Sequence, residues 1–245
     1  MATAKDIIVK PIAAKAASAL VKRIHYSGKV TQNSQLHLGV YLDGRLEGAK
    51  QFGPSLDKRK IQGLIKGTSW NGFLELNRMA FSEALPKNSE SRAISIAMKL
   101  IRKHYPGIEW VVSFADGTQC GDGTIYRASG FVLTSIKKNT TMLRMPDGSV
   151  CADKTLNDHS YKKSGWWKKR GAKPLVGFQL RYIYFINPEA RKRLTVPVLP
   201  FSKIEEMGAG MYRGEKISRD KQAMAATSGT AAGQHRPSRS NSEAA

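Results

Sequence analysis

Residues 85–131 read LPKNSESRAISIAMKLIRKHYPGIEWVVSFADGTQCGDGTIYRASGF, and the fold is decided there. Pro86 closes a loop, and Asn88 or Ser89 offers a side-chain oxygen to cap a following helix. Ile94, Ala97, Met98 and Ile101 recur at the spacing that lines one face of a helix. Proline and glycine in His104-Tyr105-Pro106-Gly107 disfavour its continuation. Trp110 to Phe114 is an uninterrupted apolar run, the pattern of a central strand covered on both faces. A glycine-rich loop then leads into a short helix around Thr124 to Ser129.

Upstream, residues 7–12 read as a short strand. Ala17, Leu20, Val21 and Ile24 form an apolar helical stripe that ends before Ser27-Gly28. Asp43-Gly44 joins Leu36–Tyr41 to Arg45–Phe52 as an antiparallel hairpin, because this pair adopts positive φ readily. Gly72 to Ala80 is a fourth strand, which feeds the central helix. Downstream, residues 131–136, 141–145 and 175–186 are the remaining strand candidates, and Pro188, Pro197 and Pro200 mark irregular structure.

This alternation predicts an α/β fold, a mixed β-sheet flanked by helices. One domain is expected over residues 1–218. Residues 219–245, rich in Ala, Ser, Thr and Gly, read as a flexible C-terminal tail. Strand four, its helix and a parallel fifth strand leave a crevice where the strands diverge, a natural place for a ligand.

The 245 residues include 40 Lys+Arg against 19 Asp+Glu, a net charge of +21. A polyanionic partner offsets the self-repulsion of such a chain, although charge alone does not separate DNA from RNA or an anionic bilayer. No run of about 18 apolar residues is present, so nothing reads as membrane-spanning. The first apolar stretches are broken by Lys10, Lys15 and Lys22 and read as strand and helix, not as a targeting segment. Cys120 and Cys151 form neither a metal-ligand spacing nor a disulfide framework, which points to a reducing compartment.

Four polar clusters fall at strand ends or in adjoining loops: His25-Tyr26, Asn77-Arg78, Asn88 to Arg92, and Asp116 to Asp122 with Tyr126. No G-x-S-x-G turn surrounds Ser91, which argues against a serine hydrolase. The unpaired N–H groups of a helix's first turn receive phosphate or another anion, and Arg92 adds a bidentate donor. Ser91 and Arg92 are therefore the candidate cofactor-binding pair. Asp116 is either a turn former bonding its own backbone or a carboxylate that takes a proton from an amine. Asp122, between two glycines, is its rival and looks more like a turn residue. Arg78 either pairs with Glu75 or Glu83 or serves the crevice. Tyr26 and Tyr126 can donate a hydrogen bond, stack on a base, or act as core tyrosines with one wet end. The five histidines show no metal-ligand spacing, so no metal site is read, with His25 the one candidate ligand.

KKSGWWKKRGAK (162–173) sets Lys162, Lys163, Lys168, Lys169, Arg170 and Lys173 around Trp166 and Trp167 with no acid among them. Cations that flank aromatic rings suit a phosphate backbone with a ring against sugar or base, so this is the candidate DNA-binding segment. Arg191, Lys192 and Arg193 form a smaller basic cluster, and Arg236 and Arg239 add charge to the tail.

HYSGK (25–29), ELNRMAF (75–81), the 85–131 stretch and the basic-aromatic segment resemble the Mom DNA-modification proteins of Mu-like phages, over residues 5–215. The order of elements is also similar to the GNAT acyltransferase superfamily. There the helix after strand four begins in a glycine-rich pyrophosphate loop for an acyl-CoA, and a tyrosine precedes a Gly-Phe pair. Tyr126 and Gly130-Phe131 match that pattern, whereas NSESRA (88–93) has none of the loop's glycines.

The Mom resemblance implies a phage enzyme of the host cytoplasm. It would convert the N6 amine of adenine in DNA to a carbamoylmethyl (acetamido) derivative, which shields phage DNA from host restriction. It also implies an active-site set of Tyr26, Arg78, Ser91, Asp116 and Tyr126. In that set Asp116 holds or deprotonates the amine, Arg78 and Ser91 position the donor, and the tyrosines donate protons or stack. Double-stranded DNA and an unidentified small-molecule donor are the implied partners, and both an acyl-CoA-like donor and metal-assisted chemistry stay open. A base inside a duplex is out of reach, so extrusion of the target is expected. The alternatives are a GNAT-type acyltransferase acting on a polyamine, tRNA or protein, and a non-enzymatic DNA-binding protein. Polar clusters at several strand ends argue against the second.

Overall fold

The structure, a computed structural model, describes residues 2–153, 166–212 and 215–216. The expected tail at 219–245 lies outside them, as do Lys162 and Lys163.

Strand β1 (Ile8–Pro11), helix α1 (Ala14–Ile24), the hairpin β2 (Leu36–Leu42) and β3 (Arg45–Gly53), and helix α2 (Lys58–Gln62) come first. Strand β4 (Phe73–Phe81), helix α3 (Ser89–His104), strand β5 (Trp110–Asp116), helix α4 (Thr124–Ala128) and strand β6 (Val132–Lys138) follow. Short strands β7 (Met142–Arg144), β8 (Val150–Ala152) and β9 (Lys173–Pro174) precede β10 (Phe178–Phe185), helix α5 (Ser202–Glu206) and the ribbon β11 (Met211–Tyr212) and β12 (Glu215–Lys216).

Seven strands form one mixed sheet in the order β1-β2-β3-β4-β5-β10-β6. Only the β4–β5 pair is parallel, so the fold is the expected mixed sheet with helices on both faces. The hairpin turn uses Asp43 (φ 48°) and Gly44 (φ 75°), as its Asp-Gly pair requires. Residues 141–145, expected as a strand, do form β7. That strand lies in a separate three-stranded sheet with β8 and β9. Helices α2 and α5 carry too few periodic residues to be read from the sequence.

Neighbouring residues of a strand point to opposite faces, which separates the two helical layers. On one face α3 buries Ile94, Ala97, Met98 and Ile101 against Leu76, Val111, Ala115 and Leu180. Truncating Ile94 to Ala in this packing costs about 2–5 kcal/mol. On the other face α1 covers Ala49 and Ala80, while α2 and the 3-10 helix Pro188–Arg193 cover Phe73, Trp110, Val112 and Ile183. Trp110 stacks on Phe73 with centroids 4.4 Å apart, and its indole N–H donates to Thr68 Oγ1 at 3.0 Å.

One irregularity creates the crevice. In the β3–β4 pairing Gln51 opposes Arg78 but Phe52 opposes Leu76, so Asn77 is an extra, bulged residue. The bulge turns Arg78 onto the α1 face while Leu76 and Met79 stay against α3. Pairing of β4 with β5 ends at Glu75↔Val112, and the two strands separate beyond it. Asn77 accepts from Ser34 Oγ at 3.2 Å. Gly53 is required beside it, because a Cβ there would lie 2.6 Å from the Asn33 carbonyl and 2.8 Å from Asn77 Oδ1.

Two expectations are corrected here. Neither Asn88 nor Ser89 caps α3: Asn88 sits in the left-handed region (φ 71°) with no side-chain cap bond, and the buried Ser89 Oγ has no partner. The run Trp110–Phe114 is covered on both faces only as far as Ser113, since among the described residues no helix lies over Phe114, which is 42% exposed. Among the described residues no helix is long and apolar enough to cross a membrane.

Candidate active site

Strands β5 and β10 pair in unbroken register as Val112↔Ile183, Phe114↔Arg181 and Asp116↔Gln179. Alternation puts all six side chains on the α1 face. The 3-10 helix and α2 roof the first pair, and among the described residues no helix covers the sheet beyond, which forms a shelf. Arg78 joins it from the bulge of β4. His25 and Tyr26 arrive from the end of α1, where helical hydrogen bonding stops at His25. Arg78 is held by two carbonyls, with Nε donating to Lys29 at 3.0 Å and Nη1 to Asn77 at 2.7 Å.

Asp116 is both a turn former and a shelf residue. Its Oδ1 accepts from the Thr118 N–H at 3.0 Å and from Thr118 Oγ1 at 2.6 Å, while Oδ2 has a long contact of 3.5 Å with Gln119 Nε2. The turn therefore fixes the carboxylate and leaves one oxygen with acceptor capacity to spare. Asp122 is spoken for: its Oδ1 takes Arg127 at 3.0 Å and Thr124 at 2.9 Å, and its backbone N–H donates to Met211.

Tyr26 is half exposed yet crowded. Burial, then the charges of Asp116 and Cys120, push its phenol above the ordinary tyrosine value against the opposing pull of Arg78, so it stays protonated. Tyr126 lies behind the sheet on the α3 side. It packs on Phe131 and Tyr182 with centroids 5.4 and 5.3 Å away, and burial pushes its phenol up to about 12 despite the Ser113 hydroxyl. Tyr182 in turn packs directly on Gly123 (φ 84°), where a Cβ would strike the Tyr182 ring. Glu75, read in the sequence only as a partner for Arg78, is a half-buried carboxyl raised by desolvation and hydrogen-bonded by Ser55.

Burial, then the Arg78 charge, lowers His25 to about 4, so the ring is neutral near pH 7. Its Nδ1 accepts from the Ser27 N–H at 3.1 Å, and the ring lies 4.3 Å from that of Tyr26. Among the described residues no three His, Cys, Asp or Glu side chains gather to hold a metal.

Ser91 and Arg92 stand apart from this group and Tyr126 lies behind the sheet, so Arg78, Ser91, Asp116 and Tyr126, expected at strand ends along one edge of the sheet, do not share one cleft. Ser91 and Arg92 line a cleft of about 420 Å³ with Lys5, Asn88, Ser95 and Ser129, and none of Tyr26, Arg78, Asp116 or Tyr126 borders it. Ser91 Oγ donates to the Asn88 carbonyl at 3.1 Å. Two cations, three hydroxyls and the first N–H groups of α3 fit a phosphate-bearing ligand. Asn88 supplies the left-handed backbone that a glycine would otherwise provide in such a loop.

Residues Trp166–Arg170 form a 3-10 helix beside the small sheet. Lys168, Lys169, Arg170 and Lys173 are exposed, and Lys168 Nζ lies 5.9 Å from the half-buried Trp167 ring. The Arg191–Arg193 cluster is largely structural: Arg193 pairs with Glu109 and donates to the Lys66 carbonyl, and Lys192 pairs with Glu189. Lys58 over the exposed Trp70 at 4.6 Å is a further cation–aromatic pair that the sequence reading did not single out.

Among known proteins, the chain is 37% identical over 209 residues to the methylcarbamoylase mom of Escherichia phage Mu, covering 81% of this chain and 85% of that one. Among solved structures it resembles the IAA acetyltransferase from Bacillus cereus ATCC 14579, at 12% identity and TM-score 0.42 over 73% of this chain and 99% of that chain. It also resembles the ribosomal-protein-S18-alanine N-acetyltransferase from Escherichia coli, at 12% identity and TM-score 0.42 over 74% and 94%. A model of the Mom protein family matches residues 6–203, a span that holds the shelf, the basic segment and the α3 cleft apart from Ala4 and Lys5. The chain belongs to the Mom protein family.

Proposed function

We propose that this protein is a phage DNA-modification enzyme that places a carbamoylmethyl group on the N6 amine of adenine in DNA, and that the β5–β10 shelf is its acceptor site. Membership of the Mom family and similarity to the phage Mu methylcarbamoylase support the reaction class. The observation that carries the site is Asp116, held by its turn with Oδ2 to spare, beside a protonated Tyr26 and an anchored Arg78.

Asp116 Oδ2 accepts a proton of the N6 amine, which raises the nucleophilicity of that nitrogen. The nitrogen forms a bond to the methylene carbon of the donor while the bond from that carbon to its leaving group breaks. Tyr26 supplies a proton to the departing group, and Arg78 holds the approaching ligand. Tyr126 supports the shelf from beneath. A phosphate-bearing donor would be held by Lys5, Ser91 and Arg92 on the α3 side of the sheet, would reach the shelf where β4 and β5 separate, and would supply the carbamoylmethyl unit on a carbon that carries a leaving group. The exposed cations Lys168, Lys169, Arg170 and Lys173 grip the duplex backbone while the target base leaves the stack.

Expression in bacteria followed by mass spectrometry of total DNA nucleosides tests the reading. The expected result is a new deoxyadenosine species carrying the carbamoylmethyl mass. DNA without modified adenine, from cells in which the folded protein accumulates, contradicts it.

A further inference from the structure

We propose that Phe114, with Arg181 beside it, is the platform on which the extruded adenine stacks. This rests on the reading of the shelf as an acceptor site. A phenylalanine near the end of a central strand, in a sheet of seven, is ordinarily covered. Phe114 is 42% exposed, although Val112 two residues earlier is fully buried. The helical layer that roofs Val112 and Ile183 stops short of it.

The surroundings of the ring select a nucleobase over an apolar peptide. Directly across the strand pair, Arg181 is anchored by Nε to Thr134 Oγ1 at 3.0 Å and by Nη2 to the Thr134 carbonyl at 3.2 Å. Among the described residues no carboxylate pairs with it. A fixed, uncompensated cation beside an exposed ring suits a π-face together with a phosphate, and disfavours an apolar occupant. Asp116 lies two positions along the same strand and on the same face, about 7 Å away by strand geometry. A purine stacked on Phe114 therefore presents an edge to the Asp116 carboxylate. Tyr26, half exposed, borders the same space.

The test compares the full-length protein with Phe114→Leu, which removes the ring and keeps apolar volume, and with Phe114→Trp, which keeps a stacking face. Affinity is measured for single-stranded oligo(dA) and for an abasic strand of equal length and charge. Modified adenine in DNA from expressing cells is measured alongside. The platform predicts that oligo(dA) binds the wild type about tenfold more tightly than the abasic strand. Phe114→Leu should erase that preference while its affinity for the abasic strand stays unchanged, and modification should fall with it. Phe114→Trp should restore both. Modified adenine in wild-type cells together with an undiminished oligo(dA) preference in Phe114→Leu overturns the platform. A Phe114-dependent preference with no modified adenine in wild-type cells keeps the platform and removes the proposed reaction.

Discussion

Arg78 Nε donates to the carbonyl of Lys29 at 3.0 Å, so one side chain ties the bulge of β4 to the loop that carries His25 and Tyr26. A lysine keeps the charge but cannot reach two carbonyls with a planar fork. Arg78→Lys should lower adenine modification by about tenfold or more. One lost hydrogen bond is worth about 1 kcal/mol, so Tm should fall by only a few degrees. Undiminished modification in this variant would show that the tie between strand and loop is dispensable.

Lys50 is fully buried in β3 without a hydrogen-bond partner, its ammonium 5.1 Å from the Phe81 ring, and desolvation lowers it to about 7. The folded value is below the unfolded one, so the unfolded chain binds the extra proton between about pH 7 and 10. Stability from this group therefore rises as pH rises through that window. Lys50→Met should raise Tm by several degrees at pH 7, and the gain should shrink toward pH 10. A gain that does not depend on pH would assign the effect to packing alone.

Asp122 and Asp116 should respond differently to substitution. Asp122→Ala breaks a mostly buried ion pair and the Thr124 bond, at a cost of about 2–4 kcal/mol. Thermal melts should show that loss directly. An Asp122→Ala protein of wild-type stability would contradict the structural role.

Changing Lys168, Lys169 and Lys173 together to Gln should flatten the dependence of duplex affinity on salt. Each phosphate contact contributes roughly 0.9 to the log–log slope, so a reduction of up to about 3 is expected. An unchanged slope would move the DNA grip elsewhere, with the Lys58–Trp70 pair next in line.

Much of this architecture is legible in local sequence. The spacing of Ile94, Ala97, Met98 and Ile101 predicts α3, and Asp43-Gly44 predicts the hairpin, because both signals lie within a few residues. What stays hidden depends on partners distant in the chain. The Asn77 bulge exists only relative to β3, and β10 (from Phe178) inserts between β5 and β6 although β6 ends at Lys138. Phe114 reads as core because an apolar run carries no record of which helix covers it. Ser91 reads as part of one cleft because its position in the sequence does not reveal that α3 and the Arg78 side chain occupy opposite faces of the sheet. The order of strands points to Arg78, Ser91, Asp116 and Tyr126 as neighbours; Arg78 and Asp116 share the shelf, whereas Ser91 and Tyr126 do not, and Tyr26, named by the family resemblance, feels the charges of Asp116 and Arg78.

The most direct test of the shelf is the level of modified adenine in DNA from cells that express Asp116→Asn. The amide oxygen can still accept from Thr118 and keep the turn, while the second acceptor is replaced by an NH₂ donor. Modification should fall by about 100-fold or more with the fold intact. Wild-type levels in a folded Asp116→Asn protein would mean that the adenine amine is activated elsewhere.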